Sequence, residues 1–133
     1  MFKYILLYLG TFAVFLIVDF VWLTVISKDF YQKEIGTLLL KTPNLLPALI
    51  FYLLFVFAII VLIVLPGLNS GSLLKTLAYA FLFGVITYAT YDLTNLATLK
   101  DWSLKVTVID IFWGGFLATI TSYFSYYLGD KIL

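Results

Sequence analysis

Three carboxylates, Asp19, Asp92 and Asp110, fall inside long apolar runs of this chain. A charged acid near the middle of a membrane-spanning helix costs about 2.5–3.5 kcal/mol on insertion scales, so such residues are functional candidates by default. Each has polar or aromatic company at helical spacing. Tyr88, Asp92 and Asn95 stand at i, i+4 and i+7, which is one helix face, and Tyr91 and Thr94 widen it. Phe15, Asp19 and Trp22 share a second face, and Trp113 follows Asp110 by one turn. Gly114, Ala118 and Ser122 continue from Asp110 as a stripe of small residues, a spacing that lets two helix backbones approach closely.

The chemistry open to these groups is narrow. No lysine lies within the apolar runs to neutralise the acids, although long lysine side chains from the loops could reach inward. Otherwise the carboxylates are protonated, share a proton or hold a cation. Carboxyl groups in that position can give and take protons. As oxygen-only ligands they suit Na⁺, Ca²⁺ or Mg²⁺ better than zinc or copper. The π faces of Trp22, Trp113 and Tyr88 could stabilise a cationic intermediate. The plainer reading is structural. Interhelical hydrogen bonds in membranes average about 0.6 kcal/mol, and the acids would then be packing glue. The tryptophans and Tyr52 would be packing or interfacial residues, and Phe30 and Tyr31 membrane anchors.

Composition removes many alternatives. The chain has no His and no Cys, and every basic residue is Lys. Zinc, haem and thiolate chemistry are disfavoured, as is bidentate phosphate binding through Arg. No nucleotide-binding motif is present, and a net charge of +1 gives no reason to expect nucleic acid. With 64% hydrophobic and only 11% charged residues in 133, a water-soluble fold could not cover its apolar surface.

The elements that must position the acids follow from the apolar runs, each near the roughly 20 residues needed to span a bilayer. Spans are expected at about 4–26, 45–65, 77–96 and 106–128, forming one all-α domain, residues 1–133, of four transmembrane helices in an antiparallel bundle. The first run is too long for a signal peptide. Pro43 and Pro47 suit the start of the second helix, Pro66-Gly67 is expected to end it, and Gly129 to cap the last. In the first loop, Phe30, Tyr31, Ile35, Leu38 and Leu39 recur at helical spacing and predict a short interfacial helix. Trp102 in the third loop suits an interfacial anchor. Counting along the helices, all three acids and Tyr52 lie roughly 7–12 Å below the surface that carries loops one and three. Five lysines there (Lys28, Lys33, Lys41, Lys100, Lys105) against three opposite (Lys3, Lys75, Lys131) favour a cytoplasmic location for those loops.

These segments resemble the bacterial family of predicted membrane proteins called domain of unknown function 2177. The resemblance rests on Tyr88-Ala-Thr-Tyr-Asp-Leu-Thr-Asn-Leu-Ala-Thr-Leu-Lys, ending at Lys100, with Trp102 after it. It also rests on Asp19-x-x-Trp22, Phe30-Tyr31, Phe51-Tyr52 and Asp110-x-x-Trp113-Gly114. Family members often carry proline where this chain has Ser103, a change expected only to soften the turn. The resemblance implies four helices and a bacterial inner (cytoplasmic) membrane. Through neighbouring genes for fatty-acyl modification and oxidative stress it tilts toward lipid chemistry, but it implies no particular activity.

Three functions follow. The first is an intramembrane site of Asp19, Tyr52, Tyr88, Tyr91, Asp92, Asn95 and Asp110, lined by Trp22 and Trp113, that handles a small ligand, ion or proton. The second is a membrane enzyme doing acid–base chemistry on a lipid or isoprenoid chain. The third is an accessory subunit docking another membrane protein. The expected partners are membrane lipids and a second copy of the chain, because four short helices enclose little space alone.

Overall fold

A computed structural model describes all 133 residues. Four helices are long and apolar enough to cross a membrane: α1 (Phe2–Ile26), α3 (Leu45–Ser70), α4 (Leu73–Thr98) and α5 (Leu104–Ile132). The first loop carries α2 (Lys28–Ile35), where the spacing predicts an interfacial helix, and there is no strand. Short connections after α3 and α4 make successive helices antiparallel. Side-chain caps start three of the helices. Asn44 accepts from the Leu46 amide at 3.3 Å, Ser72 from Lys75 at 3.2 Å and Ser103 from Val106 at 3.1 Å. Each cap is worth about 1 kcal/mol.

Two helix ends differ from expectation. α3 does not stop at Pro66-Gly67 but continues to Ser70. The preceding turn, Ile60–Val64, is a wider π turn. A proline lacks an amide and crowds the carbonyl four residues back, and a wider turn relieves that crowding. The helix ends instead at Gly71, in the left-handed conformation at φ +68°, whose amide donates to the Gly67 carbonyl at 3.0 Å. Gly71 has no Cβ and so adopts this backbone without strain. Gly129 does not cap α5, which runs on to Ile132. It is a contact residue, since a Cβ there would sit 2.7 Å from the Leu68 side chain.

α5 is the centre of the bundle. Its buried residues run from Val106 to Gly129, whereas the other helices bury only one stripe or one end. α1 buries Leu7, Thr11, Phe15 and Asp19, one residue per turn. α3 leaves most of its first half exposed and buries one stripe of its second half, beginning with Phe55 and Val56. Those two residues meet Phe15, Ile59 and Leu117 in the apolar core. The small-residue stripe of α5 is the seam with α4. A Cβ on Gly84 would overlap the Gly114 carbonyl and crowd the Ala118 side chain. This close approach brings Asp92 on α4 beside Asp110 on α5.

Replacing Gly84 with Ala therefore pushes the two backbones apart. It is expected to reduce stability by about 1–3 kcal/mol, the usual cost of overpacking. The check is a thermal melt in mild detergent, and an unchanged melting temperature would mean that α4 and α5 do not meet at this seam.

Candidate functional site

The polar groups of the loop-one and loop-three half form two hydrogen-bonded assemblies joined by a tryptophan stack. Asp19 ends the buried stripe of α1 and is only 5% exposed. It accepts from the Tyr52 phenol of α3 at 2.5 Å and from the Trp113 indole of α5 at 3.2 Å. Asp110, one turn before Trp113, accepts from the phenol of Tyr31. The Tyr31 oxygen in turn accepts from the Trp22 indole at 3.1 Å. Trp22 and Trp113 lie flat on each other, with ring centroids 4.3 Å apart and planes 8° from parallel. The donors that serve Asp19 and Asp110 are thus phenol and indole groups.

Tyr31 reaches Asp110 because the chain folds back sharply after α1. The last turn of α1, Trp22–Ile26, is a π turn closed by the Ser27 amide on the Trp22 carbonyl at 2.8 Å. The Ser27 hydroxyl donates to the same carbonyl at 2.8 Å. α2 then leads back over the bundle end, with Ile35 buried. Glu34 accepts from the Ser103 hydroxyl at 2.9 Å and ties α2 to the start of α5. Ser103 therefore does more than soften a turn, since it caps α5 and anchors α2. Burial and the neighbouring Asp110 carboxylate push the Tyr31 phenol well above its usual range. Tyr31 consequently remains a donor at ordinary pH.

Asp92 is different. It is 0% exposed, and neither of its carboxylate oxygens has a hydrogen-bond partner. The Asp110 carboxylate lies beside it. An ionised carboxylate only accepts, so the two groups can bond to each other only with a proton between them.

The remaining candidates are placed as follows. Tyr88 forms the wall behind the acids, with its ring against Gly114 and edge-on to Phe51 and Phe55. Tyr91 is 55% exposed and turns outward, its ring meeting Trp102 edge-on at 5.7 Å. Asn95 lies one turn further on and is half-buried. Neither Tyr91 nor Asn95 bonds to an acid. Asp19, Asp92 and Asp110 do not converge into a group able to hold a metal ion. Two clefts, of about 290 and 390 Å³, lie at the opposite end of the bundle, one beside Lys75 and the other beside Asp130.

Tyr31 is the site residue that the sequence reading treats only as a membrane anchor. A signal was available, since Tyr31 and the buried Ile35 share a face of α2 at i and i+4. Its partner Asp110 lies 79 residues away, and no local pattern reveals that pairing.

The model of one family, described as predicted membrane protein (DUF2177), matches residues 4–127. The chain belongs to the DUF2177 family. No curated protein and no solved structure matches it. The DUF2177 match takes in α2, α3 and α4 and all but the outer ends of α1 and α5, and every residue of the two assemblies lies within it. The chain is a membrane protein with four candidate spans, and Asp19, Asp92 and Asp110 lie on three of them.

Removing one phenol oxygen tests the Tyr31 assembly. Tyr31→Phe deprives Asp110 of a donor and Trp22 of an acceptor. It is expected to lower stability by about 1–3 kcal/mol, the range for buried groups that lose a partner. A double-mutant cycle with Asp110→Asn should show coupling between the two sites. Purely additive losses would mean that Tyr31 and Asp110 do not interact.

Proposed function

We propose that this DUF2177 protein works through a proton held between Asp92 and Asp110 in one half of the bilayer, and that it handles protons or a small protonatable ligand there. One observation carries this reading: Asp92 is wholly buried with both oxygens unpartnered, beside a second buried carboxylate. Two adjacent carboxylates away from water cannot both be ionised, and a shared proton is the usual resolution. Such a pair gives up and retakes its proton as its surroundings change, which is what acid–base work or proton coupling requires. A proton fits better than a metal cation, because the third acid, Asp19, is engaged elsewhere with Tyr52 and Trp113. Asp19 is a positioning residue in this account. It fixes Trp113, Trp113 stacks on Trp22, and Trp22 donates to the Tyr31 that serves Asp110.

A second reading, acid–base chemistry on a lipid or isoprenoid chain, is supported by depth. The acids lie roughly 7–12 Å below one surface, level with the upper acyl carbons. Lipid profiles that change between wild type and an Asp110→Asn strain would favour this reading over proton handling alone.

The shared proton has a direct spectroscopic signature. Infrared spectra of the purified protein at neutral pH are expected to show the C=O stretch of a protonated carboxylic acid. The band should shift in D₂O and disappear in Asp92→Asn. A wild-type spectrum without any protonated-acid band would overturn the proposal.

A further inference from the structure

The half of the bundle away from the carboxylates also contains buried polar groups. Threonines in these helices commonly donate to the carbonyl four residues earlier: Thr11 to Leu7 at 2.7 Å, Thr76 to Ser72 at 2.8 Å and Thr119 to Gly115 at 2.7 Å. This local bond is the cheapest way to satisfy a hydroxyl inside a helix. Thr121 and Ser122 on α5 do not make it. Both are 0% exposed, and neither hydroxyl has any partner. Within one turn of them, Ser125 is bonded to Thr11 of α1 at 2.7 Å, and both of those residues are buried too.

We propose that Thr121 and Ser122 bind internal water, and that with the Thr11–Ser125 pair they form the far half of a proton path whose near half is the carboxylate pair. This rests on the proton-handling reading above and extends it from a site to a crossing. Buried hydroxyls without protein partners are the groups that internal waters normally satisfy. The positions also fit a crossing. Ser125 lies 15 residues beyond Asp110, about 22 Å along the helix axis. The buried polar groups of α5 therefore extend over most of a hydrocarbon core about 30 Å thick. Between the halves stand Phe15 and Leu117, both 0% exposed. Phe15 falls between Thr11 and Asp19 on the buried stripe of α1, and Leu117 between Trp113 and Thr121 on α5. They form a dry layer that resists free leakage, as apolar constrictions do in channels. In transit each hydroxyl accepts one proton and releases another, so the chain itself is unchanged. A lipid-modifying site confined to one leaflet has no use for the far half.

The test is dissipation of a pH gradient in proteoliposomes containing the full chain. Wild type is expected to dissipate the gradient faster than empty vesicles. Asp92→Asn should abolish the excess, and the double variant Thr121→Val with Ser122→Ala should reduce it several-fold. That double variant replaces the hydroxyls with apolar groups of similar size, so it should stay folded with a melting temperature close to wild type. Thr121→Ser keeps the hydroxyl and loses only the methyl, and it should retain flux. Flux that falls equally with Thr121→Ser and Thr121→Val follows packing rather than the hydroxyl, and would overturn the inference. Flux lost in Asp92→Asn but intact in the double variant would overturn the far half and leave the carboxylate pair standing. Wild-type flux no faster than empty vesicles would overturn the path as well, and the infrared band would still decide the pair separately.

Discussion

Hydrocarbon cannot hydrogen-bond, and most features of this protein answer to that fact. Polar groups at membrane depth must find partners inside the bundle or remain unsatisfied at a cost of several kcal/mol each. The helices satisfy their own backbones. The threonines along them mostly satisfy their hydroxyls by the same local route. The carboxylates have no local solution. Asp19 and Asp110 draw donors from three other elements, and this need is what ties α1, α2, α3 and α5 together at one end. Asp92 is the member that the bundle does not serve, and it lies beside a second carboxylate with which, in the proposed function, it shares a proton.

The two tryptophans make the arrangement mutually dependent. Stacked aromatic pairs are worth about 0.5–1.5 kcal/mol beyond their buried area. Here the stack also transmits position. Trp113 is held by Asp19, Trp22 lies on Trp113, and Tyr31 is aimed by Trp22 at Asp110. α2, which could have been merely a peripheral anchor, becomes the cover of the site. Its tie through Glu34 to Ser103 joins it to the helix that carries Asp110.

Much of this architecture is legible in the residues themselves. The four long helices follow from apolar runs separated by Pro, Gly, Asn and Lys, and α2 from aromatic and aliphatic residues at helical spacing. The seam between α4 and α5 follows from Gly114, Ala118 and Ser122 at every fourth position. Other features resist this kind of reading. Pro66 suggests an end, but a π turn just before it lets the helix continue. Gly129 suggests a cap, but the constraint on it is the Leu68 side chain of another helix. On α4, Tyr88, Tyr91, Asp92 and Asn95 share one arc of the helix, but spacing alone does not say which of them a neighbouring helix covers. Asp92 and Tyr88 take the interior, and Tyr91 turns outward to Trp102. The role of Tyr31 depends on a partner far away in the chain, which helical periodicity does not encode.

The central claim is that Asp92 and Asp110 act as one proton-sharing unit rather than as two separate pieces of packing glue. The most direct test is a thermal-unfolding cycle in mild detergent on wild type, Asp92→Asn, Asp110→Asn and the double variant. If the pair shares a proton, Asp92→Asn should leave the melting temperature unchanged or raise it, as expected when a costly buried functional group is relieved. The double variant should also depart clearly from the sum of the single changes. Two single variants that each melt several degrees lower, with losses that simply add, would contradict the account and make the acids independent structural hydrogen-bond partners.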